Sequence, residues 1–499
     1  MRKWIVLIVG SLLVLSGCGS KQNDDRDKNY EISSSVTLFP TPNDVFVGDP
    51  MPYFDGEKMN IFFLEDQRNG TQGYHPWSRY TTTDFTNYEY TGVVIPYAKD
   101  IAEQDIALGT GSVIQDEDGI YHAFYTGHND TYSPKEAIMH ATSSDLQNWE
   151  KIKNDTFYAD EEYSPDDFRD PYVLYNEEEG KYWMLITTRK ADMGVIALYT
   201  SLDLINWNNE GVLFENDMGS DSNLECPTLL EWNGYWYLSF SDQWPDRVVH
   251  VRKSNSPYGP FETARDDTLD FFDSDGFYAG RLEKDQDNLY LIGWNATKDG
   301  HSDANNYNWA GNLVVHQMVQ KEDGYLSLIP VRNIDNSINK KQKISVQYRS
   351  NSIKKKKESI MFSGADYEIT TFSGLDGNTK ITGKIDLVEN SGIVGFAFGV
   401  GSDKLAPLNL IIDTTKNYLG FFNQYTDEIV TQKAQSRIDY DFSGKEEITF
   451  KILLGNTVAC LYINDEVALT ARMYGANKAE WGIFGMNSEV ILKDIAISN

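Results

Sequence analysis

Three acidic residues stand in similar settings far apart in the chain. Asp49 lies in GDPMPYF, Asp170 in FRDPYVL and Glu225 in LECPTLLEW. Each opens an apolar, aromatic run that predicts a strand, and a charge entering a sheet core is costly unless it is paired or used. Carboxyl groups gathered around one bond have a well-defined use. Glycoside hydrolysis needs two of them, one to protonate the leaving oxygen and one to attack the anomeric carbon or activate water. A third can tune the pair or hold substrate hydroxyls. Arg169 beside Asp170 favours the ionised form. Glu225, followed by Cys226 and Pro227, sits among apolar residues, where burial raises a carboxyl pKa as a general acid requires. Singly, each has an ordinary reading as an Asp-Pro turn, an Arg–Asp ion pair or a solvated Glu.

A repeat joins them. A turn followed by an apolar-aromatic strand recurs as DGEKMNIFFL at 55, DGIYHAFYTG at 118, EGKYWMLITT at 179, NGYWYLSFS at 233 and DNLYLIGW at 287. A second signature recurs as TTTDFTNYE at 81, SSDLQNWE at 143 and SLDLINWN at 201, with a weaker NSPYGPFE at 255. Units of this size, each with room for four short strands, predict a five-bladed β-propeller over residues 35–335. A β-sandwich is the competing fold, but it would not naturally repeat one unit size five times. Ahead of the hairpins stand GDPMPYF, GTGSVIQ, FRDPYVL, LECPTLLEW and GFYAGRL, the expected innermost strands facing a central channel. Asp49, Asp170 and Glu225 are then expected at one phase in three blades, converging at one mouth.

The rest of the chain frames this core. The 499 residues include 30 Tyr, 24 Phe and 11 Trp, residues suited to strands and to sugar-stacking surfaces. A formal net charge of -31 argues against nucleic acid and against docking on anionic lipid, and fits a neutral substrate. Arg2 and Lys3 precede WIVLIVGSLLVLS, too short for a membrane span and laid out as a secretory leader. The following LSGC resembles a bacterial lipoprotein box, which makes residues 1–18 a leader ending in a lipidated Cys18 and residues 19–34 a polar tether. The expected location is extracytoplasmic, with the lipid anchor as the sole membrane contact. Cys226 and Cys460 require no pairing. No Cys or His spacing suggests a metal, and no cofactor is implied. His75, His122 and His140 read as structural or rim residues. From 336 to 357 the texture turns basic and polar, as a linker or an exposed edge segment, and residues 358–499 alternate as the short strands of a β-sandwich that braces the propeller.

RDP at 169–171 and ECP at 225–227, following DP at 49–50, resemble glycoside hydrolase family 32, the invertase, levanase and inulinase type of β-fructosidase. WSRYTTTD at 77–84, GSVI at 111–114, FYAGR at 277–281, NWAGNLVVHQM at 308–318 and ACLYINDEVALTARMY at 459–474 extend the resemblance over nearly the whole chain. It implies a propeller followed by a sandwich. It also implies a retaining hydrolase of β-fructofuranosyl bonds in sucrose, levan, inulin or fructo-oligosaccharides. Asp49 would be the nucleophile, Glu225 the acid/base, Asp170 a transition-state stabiliser, and Arg169 its orienter or a substrate contact. The surroundings depart from the family pattern, because its NDPNG is GDPMP here, its FYQ is FFL and the His of its WGH is Arg79. Gly48, Met51 and Leu64 thus replace polar pocket residues, and Asp66, Gln67, Arg79 or Arg281 are the candidates to supply substitute contacts. Trp77, Tyr80, Trp244 and Trp309 read first as core or blade packing and second as sugar platforms, Trp244 being the best placed for the latter in its loop, SDQWPDR. Ser112 reads as channel filler that hydrogen-bonds, not as a nucleophile. Two other readings are an inverting furanosidase on arabinan or xylan and a tethered, non-catalytic glycan-binding lipoprotein.

Overall fold

Runs of β-branched and aromatic residues, cut by Asp-Gly, Glu-Gly and Asn-Gly turns, set this chain in short antiparallel strands. The computed structural model describes residues 36–68, 74–356, 359–387, 392–455, 457–476 and 479–499. The leader, the tether and Cys18 lie outside the described residues. The architecture is all-β, with one six-residue helix at Arg332–Ser337 between two groups of sheets.

The first group comprises five consecutive units. Strands β1 (Phe46–Phe54), β2 (Met59–Asp66), β3 (Trp77–Thr82) and β4 (Glu89–Ile95) form the first unit. Strands β5 (Ala107–Gln115), β6 (Tyr121–His128), β7 (Glu136–Ser143) and β8 (Glu150–Lys151) form the second. The third holds β9 (Phe168–Asn176), β10 (Lys181–Lys190), β11 (Met193–Ser201) and β12 (Asn208–Glu215). The fourth holds β13 (Leu224–Trp232), β14 (Tyr235–Asp242), β15 (Val249–Ser254) and β16 (Glu262–Thr263). The fifth holds β17 (Tyr278–Lys284), β18 (Leu289–Lys298), β19 (Tyr307–Gln320) and β20 (Leu326–Pro330). Within each unit the strands pair in chain order. The five first strands neighbour one another in the cyclic order β1, β5, β9, β13, β17 and back to β1. These contacts run without a shared hydrogen-bond ladder, except where Val47 of β1 pairs with Gly311 of β19 and ties the first unit to the fifth.

Each first strand carries the same irregularity. The pairing register slips between Gly48 and Met51, Leu108 and Gly111, Glu225 and Thr228, and Tyr278 and Arg281, and across from Arg169 and Tyr172 in β9. Such bulges re-aim side chains and interrupt the ladder. Asp49, Asp170, Cys226 and Ala279 there take positive φ, at 37°, 58°, 54° and 48°. Pro50, Pro171 and Pro227 follow three of them, where a missing N–H costs nothing because the ladder is already broken.

The second group is a pair of sheets of eight and seven strands sharing one apolar core, in which Phe396, Ile452, Leu461 and Trp481 are buried. Residues 341–356 are not a free linker. Lys341–Gln342, Val346–Arg349 and Lys354–Lys356 pair along the margins of these two sheets. An edge strand is held by its backbone, so its polar side chains do not exclude it from a sheet. The two groups are keyed together. Arg472, 1% exposed, donates to the carbonyls of Asn295 and Ala296 at 2.6 and 2.8 Å and to Asn312 Oδ1 at 2.7 Å. The Thr470 N–H donates to Asp273 Oδ1 at 2.8 Å, and His316 Nδ1 lies 2.9 Å from the Tyr462 hydroxyl.

Candidate active site

The bulges bring the acidic residues to one mouth of the ring. Asp49 is held by Trp294, whose indole N–H donates to its Oδ1 at 2.9 Å. Asp170 accepts from the Cys226 N–H at 3.0 Å and from the Thr110 hydroxyl, while its own N–H donates to Thr126 Oγ1 at 2.9 Å. Glu225 accepts from Arg169 Nη2 at 3.1 Å on one oxygen and from the Tyr278 hydroxyl at 2.6 Å on the other. Arg169 is itself fixed by Asp167 Oδ1 at 2.9 Å and by Glu136 Oε2 at 3.5 Å. First strands of all five units thus meet at these carboxyls.

The three carboxylates do not share one phase. The bulge register places Asp49 and Asp170 opposite the position of Cys226, while Glu225 aligns with Gly48, Arg169 and Tyr278, one residue earlier. The positive-φ residue turns the chain, so positions before and at the turn both serve the mouth. Glu225, Arg169 and Tyr278 are therefore equivalent residues of adjacent units, and they bond to each other.

The electrostatics follow from crowding. Burial, then the charges of Glu225 and Asp170, push the Asp49 carboxyl up to about 7, against the Trp294 N–H and the Arg281 guanidinium. Burial also raises Glu225, opposed by Arg169 and the Tyr278 hydroxyl and reinforced by Asp170. One carboxyl of such a set holds a proton while another is ionised, the division of labour that acid–nucleophile chemistry needs. Arg281, 1% exposed, lies beneath them, donating to the Pro227 carbonyl at 3.0 Å and facing Thr110 Oγ1 at 3.5 Å. Cys226 and Cys460 are free, buried thiols. Among the described residues no group of three or more His, Cys, Asp or Glu side chains is placed to hold a metal ion.

Aromatic residues shape the entrance. Trp309 packs edge-on against Trp294, with ring centroids 6.0 Å apart, and against His75 at 4.4 Å. A cavity of about 290 Å³ opens beside Tyr278 and Trp294 and reaches Arg247, Asn308 and Gln435. Trp244 is 37% exposed, with its indole N–H on Asp221 Oδ1 at 2.9 Å and the Arg189 guanidinium 5.6 Å over its ring.

Other candidates are placed elsewhere. Trp77 is fully buried, donating to the Gly109 carbonyl at 2.9 Å, so its faces are spent on core packing. Arg79 bridges the first and second units through the Leu146 carbonyl and Gln147 Oε1, both at 2.9 Å, and does not reach the mouth. Tyr80 is likewise buried in the core. Ser112 accepts the Val173 N–H at 2.8 Å and so braces neighbouring first strands. Asp66 pairs with Arg68 at 2.7 Å, and Arg68 in turn donates to the Trp309 carbonyl at 2.9 Å, so Asp66 supports the entrance from behind. Gln67 donates to Glu65 Oε1 at 2.8 Å. Tyr278, Trp294 and Thr110 were not singled out from the sequence. For Tyr278 a signal existed, since FYAGR occupies the phase of RDP and ECP.

Comparison with known proteins agrees with this geometry. The family model described as the glycosyl hydrolases family 32 N-terminal domain matches residues 40–330. The chain is 26% identical to a raffinose invertase of Escherichia coli over 473 residues, covering 90% of this chain and 91% of that protein. It is 24% identical over 374 residues to a levanbiose-producing levanase of Bacillus subtilis, covering 66% and 67%. Among solved structures it resembles sucrose-6-phosphate hydrolase from Lactobacillus gasseri, with TM-score 0.70, 18% identity and coverage of 94% and 93%. It also resembles exo-inulinase from Aspergillus awamori, with TM-score 0.70, 16% identity and coverage of 94% and 98%.

Proposed function

The chain belongs to glycosyl hydrolase family 32, and from that premise we propose a retaining β-fructofuranosidase working by double displacement. Asp49 attacks the anomeric carbon and forms a fructosyl-enzyme. Glu225 protonates the leaving oxygen, then takes a proton from the water that releases fructose. Asp170, held by Cys226 and Thr110, stabilises the developing charge and binds hydroxyls. Arg169 orients Glu225, the partner it bonds. Substrates are sucrose, levan, inulin or fructo-oligosaccharides, and the names of the relatives add raffinose to the set to be tried.

The observation that carries this reading is the shared mouth at which burial, then the charges of Glu225 and Asp170, lift Asp49 while Glu225 is held by Arg169 and Tyr278. In the same reading the five units around the ring of first strands are the blades of a β-propeller, and the C-terminal sheets are a bracing β-sandwich. The extracytoplasmic, lipid-anchored location rests on the leader and LSGC in the sequence. The test is product release from sucrose, raffinose, levan, inulin and arabinan, with Glu225→Gln alongside. Fructose release that vanishes in the variant supports the proposal. Arabinose release would replace it with the inverting furanosidase, and sugar binding without turnover would replace it with a glycan-binding protein.

A further inference from the structure

The inner strands that carry the acidic mouth enclose a second cavity at their other ends. Asn176 lies six positions beyond Asp170 on β9, and Glu283 lies five beyond Tyr278 on β17. At about 3.3 Å per residue, this places the second cavity roughly 15–20 Å along the same strands. It measures about 410 Å³, against about 290 Å³ for the cavity beside Tyr278 and Trp294, and is walled by Tyr172, Leu174, Tyr175 and Trp236, with Asn176 and Glu283 as polar groups.

Some of its polar atoms are unspent, while Glu283 Oε1 accepts the Lys284 N–H at 2.9 Å. Asn176 is 2% exposed, and its Oδ1 accepts the Glu178 N–H at 3.1 Å, yet its buried Nδ2 has no hydrogen-bond partner. A buried donor left unpaired costs about 1–3 kcal/mol, which a ligand or water at this point would recover. The Tyr172 hydroxyl and the Trp236 indole N–H likewise make no hydrogen bond to the described residues. Tyr175 stands 42% exposed at the edge. Flat aromatic faces combined with unspent donors suit a sugar ring, which has apolar C–H faces and an equatorial rim of hydroxyls. Glu177, Glu178 and Glu231 also line the cavity, against one cation, Lys284, whose Nζ is spent on the Glu231 carbonyl at 2.8 Å, so the lining disfavours an anionic ligand.

We propose that this cavity is a second, non-catalytic saccharide site that takes one or two units of a neutral glycan chain and so holds a polymer while another part of it is cleaved. Burial pushes the Glu283 carboxyl up to about 8, so at neutral pH it is mostly protonated and adds an O–H donor. The choice of fructan as the probe rests on the hydrolase reading; the site itself does not.

The test titrates the Glu225→Gln variant of the full chain with inulin- and levan-derived oligosaccharides, using calorimetry. Two sites per chain are expected, and free fructose should compete at the first alone. Adding Trp236→Ala should weaken the second site about tenfold or more. Tyr172→Phe, which preserves the ring and the fold, should weaken it about three- to tenfold. One site per chain, or a second site indifferent to both changes, overturns the proposal. Preference of the Trp236-dependent site for choline over sugar overturns the ligand class. A Trp236-dependent site that persists when nothing binds at the first supports this proposal and removes the fructosidase reading.

Discussion

Gly48 and Trp309 are in direct contact: a methyl group on Gly48 would fall 2.3 Å from Trp309 Cη2. The strand that carries Asp49 has no side chain at this position, and an indole from the fifth unit fills the room. Met51, whose sulfur accepts the Gly111 N–H at 3.1 Å, and buried Leu64 continue the same apolar flank. The residues that depart from the family pattern are therefore coupled, and they make one wall of the site aromatic and aliphatic.

That contact predicts a coupled pair of variants. Gly48→Ala forces the indole aside and should destabilise the protein by about 1–3 kcal/mol, the usual cost of overpacking. It should also lower kcat/KM, because Trp309 packs on the Trp294 that holds Asp49. In a Trp309→Ala background the same change should cost less than about 0.5 kcal/mol. Denaturant unfolding of the four proteins in the cycle checks this, and equal costs in both backgrounds would refute the coupling.

Tyr278 tunes Glu225. Its hydroxyl donates to the carboxylate and so lowers the carboxyl pKa. Tyr278→Phe removes that donor, so the Glu225 pKa should rise and the alkaline limb of kcat/KM should move to higher pH. A loss of about tenfold at the optimum is expected from one charge-assisted hydrogen bond. A downward move of the limb would contradict the assignment of Glu225 as the acid.

Asp49 must be ionised to attack, and its pKa stands near 7 through burial and then the charge of Glu225. Glu225 must hold its proton to act as the acid, so in the active form its charge is absent, and Glu225→Gln, which is neutral as well, should leave the acid limb of kcat/KM in place. An aryl β-fructofuranoside, whose leaving group needs no acid, reads this limb directly. An acid limb that falls would show that Glu225 is ionised where Asp49 titrates, and would contradict its assignment as the acid.

The two modules share a key in Arg472. Its guanidinium lies among carbonyls of β18 and Asn312 of β19, with Thr457 Oγ1 at 2.7 Å. Arg472→Ala leaves these buried acceptors unpaired and should cost about 3 kcal/mol or more. Calorimetry should then resolve two unfolding transitions in place of one. An unchanged single transition would show that the C-terminal sheets do not brace the first group through this residue.

Much of this was legible in the residues. Turn glycines before aromatic runs marked the hairpins because those turns need positive φ, which glycine supplies without strain. The acidic positions were legible as breaks in otherwise apolar strands. Their phase was misjudged by one, although the signal was present: aligning Pro171 with Pro227 puts Glu225 beside Arg169, not beside Asp170. The backbone turn at Asp49, Asp170 and Cys226 reverses the usual alternation of strand faces, and periodicity alone does not announce it. Arg79 was misplaced because the groups that engage it, Leu146 and Gln147, come from the neighbouring unit. Local sequence does not encode that proximity. The polarity of 341–356 allowed either a linker or an exposed edge, and backbone pairing at the sheet margins decides for the edge.

The central claim is that Asp49 carries the sugar and Glu225 activates the acceptor. The measurement that tests it most directly is the configuration of the product formed when methanol competes with water as acceptor, because a methyl fructofuranoside does not mutarotate. Double displacement predicts methyl β-fructofuranoside from a β-linked substrate, with no such product from Asp49→Asn. Methyl α-fructofuranoside would mean a single displacement and would remove Asp49 as the nucleophile.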